Sequence, residues 1–436
     1  MKFSIQDHDI LITGKGWIGL DNAAKLFPAI ISKDLTSVFR ISVLLKEPVK
    51  YSVLNEAVEV ITRRFPYFSV SLGSGMFWHF LEFNQLPPRI HYDEGTPCTA
   101  FAINRKNEPL YRILVCGRKI SVEFFHVLTD GAGALEYLKS LLLTYFKFSG
   151  INVPDTQGIL LPETPIDREE VEDAYNRYFT KLPPPQKLRK SWHLPFRVNR
   201  NIQLRKIQAE VSTGDMLNMA RKYNVSLTEY FTSVYLYSLQ KIYNSVRHYK
   251  AFSKRNVLRI EVPVNLRKRF PSKTMRNFSL FVMPEIDLSL GHYSFQEIVE
   301  TVHHQMQLST KDKQILRFLS SNVRYEKILL VRILPLFIKK IVMSMIYRGI
   351  ASKRLTGLVT NLGQVVLPEK MAERVEHFEM LPTPPNRKLK VSCSLVSFRD
   401  RLIISFFNIT GSNELERLIL KHLSVDGIHV KLLNNK

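Results

Sequence analysis

The sequence predicts an α+β fold made of two similar mixed halves joined by a proline-rich linker. Strand-like and helix-like hydrophobic patterns alternate within residues 1–150 and again within residues 201–436. Residues 151–200 interrupt this alternation with repeated prolines, including the run 183–185, and with an acidic cluster at 167–173. At 436 residues the chain is also longer than one hydrophobic core usually supports, so two subdomains are expected.

The first half contains strand and helix patterns that follow one another closely. Pro66 stops the first amphipathic helix, and Gly117-Arg118 forms a tight turn between two strands rich in aromatic and β-branched residues. Strands are predicted at residues 37–45, 76–83, 110–116 and 119–126, and helices at 51–64 and 132–148.

The second half repeats the mixed pattern after the linker. Ser226 and Glu229 have the spacing of a capping box, which predicts a helix from there to about residue 243. Strands are predicted at 204–211, 257–264, 278–286, 357–366, 389–398 and 402–409, and further helices at 295–307, 326–350 and 413–423.

The composition is that of a folded protein with a strongly basic second half. Lysine and arginine total 62 against 39 acidic residues, and 43 of the 62 lie in residues 181–436. Such a surface attracts a nucleic acid, an anionic membrane or a phosphorylated cosubstrate such as coenzyme A. Sequence-specific nucleic-acid binding is not expected, because the sequence contains no RNA-recognition signature, zinc-finger spacing or heptad-linked basic region.

Cysteine usage and the first residues predict a cytoplasmic protein. The three cysteines, Cys98, Cys116 and Cys393, are scattered and have no CxxC spacing, which fits a reducing compartment. The N-terminal residues lack the apolar core of a secretory signal, so no signal peptide is expected.

Residues 328–350 form an apolar stretch that is interrupted by basic residues. Charges at the bilayer centre are costly, so a membrane span is not expected. A basic amphipathic helix here would either pack against the body of the protein or lie on the inner face of an anionic membrane. The interrupting residues are Arg332, Lys339, Lys340 and Arg348.

Residues 124–131, FFHVLTDG, are the strongest candidate for a catalytic segment. Alternation along the strand places His126 at the end of an apolar face, where an imidazole with a free basic nitrogen is a suitable general base. Asp130 directly precedes Gly131 and the next helix, which suits a carboxylate that caps that helix. A core histidine with satisfied hydrogen bonds, followed by an ordinary Asp cap, would give the same local pattern.

Three segments resemble the condensation and chloramphenicol-acetyltransferase superfamily. HVLTDG is similar to its HxxxDG motif, and it lies between a hairpin strand and a long helix, as in that superfamily. Residues 263–278, with Arg267, Pro271 and Asn277, resemble its strand and loop carrying an Arg, a Pro and an Asn-Phe pair. Residues 360–363, TNLG, resemble the Ser-Asn-Leu-Gly strand of several members.

Other positions indicate a branch within the superfamily. VFR at 38–40, RFP at 64–66 and FW at 77–78 resemble the bacterial alcohol acetyltransferase-like proteins. Phe125 occupies the position of an additional histidine in many condensation domains, which argues against peptide condensation. The second half contains no DFGWG stretch, which argues against the plant acyltransferases.

The resemblance implies an architecture of two chloramphenicol-acetyltransferase-like subdomains that form a V with a central tunnel. Residues 1–150 would be the N-terminal subdomain carrying HxxxDG, 151–200 the linker, and 201–436 the C-terminal subdomain. Donor and acceptor would reach the catalytic histidine from opposite ends of the tunnel.

The resemblance also implies roles for individual residues. His126 would be the general base, while Asp130 and Gly131 would be structural and the Asp130 carboxylate would pair with Arg267. The candidates for lining the tunnel or stabilising the oxyanion are Asn277 and Asn361.

The implied activity is transfer of an acyl group from a coenzyme A or carrier-protein thioester to the hydroxyl or amine of a small or lipid-like acceptor. O-acyl transfer is favoured, with acyl-CoA as cosubstrate and no permanently bound cofactor. A catalytically inactive condensation-fold binding protein and a lipid acyltransferase at a membrane surface remain alternatives. No metal is expected, because the adjacent His303 and His304 lie on a predicted helix, where neighbouring side chains face different directions.

Overall fold

A computed structural model describes residues 16–32, 35–84, 88–105, 107–198, 204–247, 255–349 and 353–433. The N-terminal residues used for the signal-peptide prediction lie outside these ranges, as does Ile350 of the apolar stretch. The strands, in chain order, are β1 (Trp17–Gly19), β2 (Val38–Leu45), β3 (Val70–Ser74), β4 (His79–Phe83), β5 (Ile90–Tyr92), β6 (Tyr111–Cys116), β7 (Lys119–Phe125), β8 (Arg205–Ser212), β9 (Val257–Asn265), β10 (Ser279–Val282), β11 (Glu285–Asp287), β12 (Gly357–Val365), β13 (Val375–Leu381), β14 (Val391–Phe398), β15 (Arg401–Asn408) and β16 (Lys431–Leu433).

Helices alternate with these strands in both halves of the chain. They are α1 (Phe27–Ile30), α2 (Tyr51–Arg64), α3 (Gly131–Phe148), α4 (Ala174–Arg177), α5 (Thr213–Lys222), α6 (Leu227–Arg247), α7 (Phe295–Ser309), α8 (Asp312–Lys327), α9 (Leu329–Ile333), α10 (Leu336–Gly349), α11 (Glu369–Ala372) and α12 (Glu414–Val425). The mixture of helices and antiparallel and mixed sheets confirms the α+β class predicted from the sequence.

Within the described ranges the strands form three sheets. The first sheet has the order β13-β2-β7-β6-β5, and the second has the order β10-β9-β12-β14-β15-β8-β16, with β11 paired to β9. A small sheet, β1-β4-β3, lies apart from these two. The first and second sheets each contribute to a large hydrophobic core, and the core at the first sheet also takes in residues of β13, β14 and β15 from the second half.

Strand β7 occupies the centre of the first sheet and has both faces buried. It pairs antiparallel with β2 and β6, so that Phe124 lies opposite both Phe39 and Tyr111. Polar residues alternate with these aromatics as the sequence predicted, and Glu123 accepts hydrogen bonds from Arg40 Nε (2.8 Å) and Arg112 Nε (2.6 Å). These charged side chains are paired, which offsets the cost of burying them. The strand carrying the motif is therefore fixed on both of its edges.

The linker is ordered around a buried ion pair rather than extended freely between the halves. Arg64, the last residue of α2, donates two hydrogen bonds to the Glu170 carboxylate, at 2.8 and 2.7 Å. The Tyr67 hydroxyl donates a third at 2.5 Å, and the Glu170 carbonyl oxygen accepts one from the Met275 N–H at 2.8 Å. The linker thereby joins α2 of the first half to the loop before β10 of the second.

The division into residues 1–150, 151–200 and 201–436 stays a prediction, and one strand crosses it. Strand β13 belongs to the third range but pairs antiparallel with β2 in the first sheet. The edge of β2 would otherwise present unpaired backbone groups beside a buried core, and β13 supplies their partners.

Two predicted elements are divided in the structure by prolines. The strand expected at 278–286 is two strands, β10 and β11, because Pro284 between them has no N–H to donate. The helix expected at 326–350 is the end of α8 followed by α9 and α10. Leu334 is extended (ψ 128°), as residues before a proline tend to be, and Pro335 opens the next helix. In the described part of the chain, no helix combines the length and apolar character needed to cross a membrane.

The strand expected at 76–83 is also shorter than predicted. Its first residues form the turn between β3 and β4, and Met76 and Phe77 are exposed there. Aromatic and apolar residues favoured a strand in this segment, but the β3–β4 hairpin needs its turn at this position. The turn lies beside α10, where the Leu336 N–H donates to the Met76 carbonyl oxygen at 2.9 Å.

We expect Arg64→Ala to destabilise the protein by about 3–5 kcal/mol, because it leaves the buried Glu170 carboxylate without its cation. The neighbouring Arg63 is exposed, so Arg63→Ala should change the free energy of unfolding by less than about 0.5 kcal/mol. Urea unfolding followed by circular dichroism measures both. Equal stabilities of the two variants would show that the linker does not depend on this ion pair.

Candidate active site

His126 directly follows β7 and its ring lies between two phenylalanine rings. Its backbone N–H donates to the Ser37 carbonyl oxygen at 2.9 Å, which extends the pairing of β7 with the segment before β2. Phe27 of α1 stacks on the imidazole, with ring centroids 4.8 Å apart, and the tilted ring of Phe39 from β2 also has its centroid 4.8 Å from that of the imidazole. The imidazole is therefore held in a largely apolar environment.

Asn277 determines which nitrogen of His126 carries the proton. Its amide nitrogen donates to the His126 carbonyl oxygen (2.9 Å) and to Asp21 Oδ2 (3.1 Å), so its amide oxygen is the atom that faces the ring. That oxygen lies 3.1 Å from His126 Nδ1 and only accepts, so Nδ1 must carry a hydrogen. In the neutral ring Nε2 is then the basic nitrogen.

Burial lowers the pKa of His126 below its ordinary value of 6.5, while the hydrogen bond to Asn277 and the charge of Asp130 act in the opposite direction. The ring is consequently neutral at physiological pH. A neutral imidazole with an unprotonated Nε2 can accept a proton from a group placed beside it.

The Asp130 carboxylate joins the motif to the second half of the chain. Oδ1 accepts from the backbone N–H groups of Ala132 and Gly133, both at 3.2 Å, and so caps α3. Oδ2 accepts from Arg267 Nη1 at 2.9 Å and from the Phe278 N–H at 2.8 Å. Burial would raise the pKa of Asp130, but Arg267 and these hydrogen bonds hold it below its ordinary value.

Arg267 fixes the loop that carries Asn277. Besides pairing with Asp130, its guanidinium donates to the Thr274 and Arg276 carbonyl oxygens, at 2.9 and 2.5 Å. The loop between β9 and β10 is thus folded around one side chain. Because Asn277 is at the end of this loop, the position of its amide relative to His126 depends on Arg267.

Glycines at the start of α3 allow the HVLTDG segment and the loop between β9 and β10 to approach each other closely. A Cβ atom on Gly133 would lie 2.3 Å from the Met275 carbonyl oxygen and 2.2 Å from Thr129 Oγ1, so no larger residue fits without a backbone shift. Thr129 Oγ1 itself donates to the Met275 carbonyl oxygen at 2.6 Å. At Gly131 a Cβ atom would lie 3.1 Å from Leu362 Cδ1, so the TNLG segment also borders the motif.

The two asparagine candidates have different surroundings. Both amide hydrogens of Asn277 are used, by the His126 carbonyl oxygen and Asp21 Oδ2, and its amide oxygen faces His126 Nδ1. An oxyanion or tunnel role for Asn277 would need one of these hydrogen bonds to be exchanged, and it stays a prediction. The Asn361 amide nitrogen donates to Thr228 Oγ1 and its oxygen accepts from the Gly363 N–H, each at 2.9 Å. An oxyanion or tunnel role for Asn361 stays a prediction.

Asp21 belongs to the site and was missed by the sequence analysis. It is fully buried and accepts from the Ala24 N–H (2.8 Å) as well as from Asn277. Burial raises the pKa of Asp21 to about 6, although the nearby Arg276 guanidinium acts in the opposite direction. An isolated Asp that lies 256 residues from its partner Asn277 gives no pattern in the sequence by which it could be found.

His303, which was considered with His304 as a metal ligand, contacts a helix of the second half. His303 Nδ1 is 3.3 Å from Glu229 Oε1, which joins α7 to the start of α6. Across the described ranges, no group of three or more His, Cys, Asp or Glu side chains is arranged to hold a metal ion.

The Asp130–Arg267 pair can be tested by a double-mutant cycle on stability. Asp130→Asn and Arg267→Ala should each destabilise the protein, and their combined effect should be smaller than the sum by about 0.5–3 kcal/mol, because both variants break one network. The matched control is the exposed pair formed by Arg269, from the same loop, and Asp312 of α8, for which a coupling below about 1 kcal/mol is expected. Additive effects of Asp130→Asn and Arg267→Ala in thermal or urea unfolding would exclude an energetic role for the pair.

Solved structures share this architecture over nearly the whole chain. Polyketide synthase associated protein 5 from Mycobacterium tuberculosis has 13% sequence identity and a TM-score of 0.56, with 95% of this chain and 98% of that chain covered. The first condensation domain of the calcium-dependent antibiotic synthetase has 14% identity and a TM-score of 0.58, with 96% and 99% covered. TRI101 of F. graminearum, solved with coenzyme A and deoxynivalenol, has 10% identity and a TM-score of 0.60, with 96% and 100% covered.

Sequence comparison alone does not find these relationships. No protein-family model matches the chain, and no curated protein matches it. The structural similarity extends over 93–96% of this chain in condensation domains, an epimerization domain and trichothecene acetyltransferases alike. The chain therefore has the fold of the condensation and chloramphenicol-acetyltransferase-like superfamily, as its sequence motifs predicted.

Proposed function

We propose that this protein is an acyltransferase in which His126 is the general base. The observation that carries the proposal is the fixed tautomer of His126: Asn277 accepts the Nδ1 hydrogen, and Nε2 is left as the basic atom of a ring with a lowered pKa. This is the protonation state that a base needs at neutral pH. The fold supports the same class of chemistry, because condensation domains and acetyltransferases both have it.

In the proposed reaction the acceptor hydroxyl or amine lies beside His126 Nε2. Nε2 takes the proton while the acceptor oxygen or nitrogen attacks the thioester carbonyl carbon, which gives a tetrahedral oxyanion and an imidazolium. The carbon–sulfur bond then breaks and re-forms the carbonyl, and the imidazolium returns its proton to the leaving thiolate. The products are the acylated acceptor, the free thiol and the original neutral histidine.

We favour a hydroxyl acceptor and an acyl-CoA donor. A hydroxyl is a weak nucleophile until its proton is removed, so it gains more from a positioned base than a neutral amine does. The basic second half of the chain suits the phosphates of coenzyme A, and equally an acyl chain carried on the phosphopantetheine of a carrier protein. The bacterial alcohol acetyltransferase-like branch, the central tunnel and the cytoplasmic location remain part of this proposal.

We expect His126→Ala to fold normally and to lower acceptor-dependent thiol release by roughly a hundredfold to ten-thousandfold, the usual contribution of a positioned general base. The assay is a panel of acyl-CoA donors with pools of alcohols and amines, followed by a thiol reagent. The exposed His91 provides the control, since His91→Ala should keep parental turnover. A folded His126→Ala protein with parental turnover on the true substrate pair would make His126 a structural residue.

The Asn277 hydrogen bond should be visible in the pH profile. Because His126 acts unprotonated and its pKa is below 6.5, parental kcat/KM should fall only as the pH drops below that value. Asn277→Ala removes an interaction that favours the imidazolium, so the acid limb should move to lower pH. Turnover should also fall by roughly tenfold or more, because the Nδ1 tautomer is no longer fixed.

The control for this profile is Asn55→Ala, which removes an exposed amide paired only with Glu59 and should leave the profile unchanged. An Asn277→Ala profile that matches the parent in both height and position would exclude the proposed orienting role.

A further inference from the structure

Helices α9 and α10 carry a continuous set of apolar side chains that the rest of the protein does not cover. These helices contain the apolar stretch identified in the sequence, and packing against the body of the protein accounts for only part of it. The most exposed members are Leu329, Leu330, Ile333, Phe337, Ile341 and Met345. An exposed apolar cluster of this extent on a folded chain indicates an interaction site.

The turn of the β3–β4 hairpin is fixed beside these helices and enlarges the apolar set. Lys339 is buried, and its ammonium donates to the Phe77 carbonyl oxygen (2.9 Å) and the Arg332 carbonyl oxygen (3.1 Å). The same ammonium lies 3.6 Å from the centre of the Trp78 ring. Met76 and Phe77 are consequently held next to α9 and α10. We refer to residues 328–349 together with Met76 and Phe77 as the docking surface.

The charges of the docking surface are all positive. Residues 328–349 include no Asp or Glu, whereas Arg332 is exposed and Lys340 is partly exposed. Lys327, at the end of α8, is exposed beside it. The chain as a whole carries a formal charge of +23, so its long-range field attracts an anionic partner and repels a cationic one.

We propose that the docking surface binds an anionic lipid membrane, with the apolar side chains of α9 and α10 inserted at the headgroup boundary. Short helices with bulky apolar residues and flanking basic residues have the composition of interfacial membrane helices. Each basic residue near an anionic surface adds to the binding, and the apolar residues supply the part that salt does not screen.

Helix α1 separates the docking surface from His126, the proposed general base. Helix α10 packs against α1, and Lys25, Ala29, Leu336 and Met343 line a narrow cleft between them. Phe27 of α1 stacks on the His126 ring. A membrane bound at the docking surface would therefore lie close to the site. Membrane binding itself does not depend on the proposed acyl transfer, and it can be measured without substrate.

Vesicle co-sedimentation of the full chain tests the proposal. The parent should sediment with vesicles of equal parts phosphatidylcholine and phosphatidylglycerol, and much less with phosphatidylcholine alone. High salt should weaken this binding without abolishing it. Leu330→Gln combined with Phe337→Gln should lower the partition coefficient about tenfold or more, because two apolar side chains no longer insert.

The matched control replaces equally exposed apolar residues far from α9 and α10 in the chain. Leu290 and Val425 are 80% and 75% exposed, against 74% for Leu330. The variant with Leu290→Gln and Val425→Gln therefore also replaces two exposed apolar side chains by glutamine, but outside the docking surface, and it should bind vesicles like the parent. Ile341→Gln with Met345→Gln, on the same face, replaces the first variant if its melting temperature is lowered.

Three results would overturn the proposal. The first is failure of the parent to sediment with anionic vesicles at low salt. The second is equal binding by the docking-surface variants and the control variant. The third is a parent that forms a dimer in sedimentation velocity and becomes monomeric on Leu330→Gln with Phe337→Gln, which would identify the occupant as a second copy of the chain.

Discussion

The Asp130 carboxylate is the interaction on which the site depends, because it is bonded to both halves of the chain at once. One oxygen caps α3 through Ala132 and Gly133, and the other holds Arg267 and the Phe278 N–H. A neutral side chain could cap the helix, but only an anion also balances the largely buried guanidinium. Removal of this charge would leave Arg267 unpaired at the junction of the two halves.

The consequences of that contact extend to the imidazole. Arg267 organises the loop before β10, and Asn277 at the end of this loop reaches back to the ring and to the carbonyl group of His126. The contacts thus form a chain in which the Asp130 carboxylate positions Arg267 and Arg267 positions the loop before β10. Asn277 of this loop then determines the tautomer of His126. Buried polar groups that are all hydrogen-bonded in this way specify one arrangement of the surrounding chain.

The His126 ring at the end of this network has aromatic, apolar surroundings. Phe27 and Phe39 contact the imidazole, and the strand that precedes it is buried on both faces. The apolar surroundings lower the pKa of His126, and the hydrogen bond that Nδ1 donates to Asn277, together with the charge of Asp130, restores only part of the loss. An imidazole that is neutral at physiological pH is the result of these opposing effects.

The class of fold and the position of the motif could be predicted from the amino-acid sequence, and the resemblance to a known superfamily implied the pairing of Asp130 with Arg267. These follow from local hydrophobic periodicity, from capping chemistry and from short segments whose spacing resembles a known superfamily, all of which are visible along the chain. The sequence could not show that Asp21 supports Asn277, that β13 completes the first sheet, or that α9 and α10 are left exposed. Each of these depends on contacts between residues far apart in the chain, and local preference carries no information about them.

The two predicted elements that prolines divide are an intermediate case. Pro284 and Pro335 are visible in the sequence and favour a break, whereas the hydrophobic periodicity continues past both prolines and favours an unbroken element. Which of the two signals prevailed depends on the tertiary contacts, because a missing N–H matters only where the backbone must find a partner.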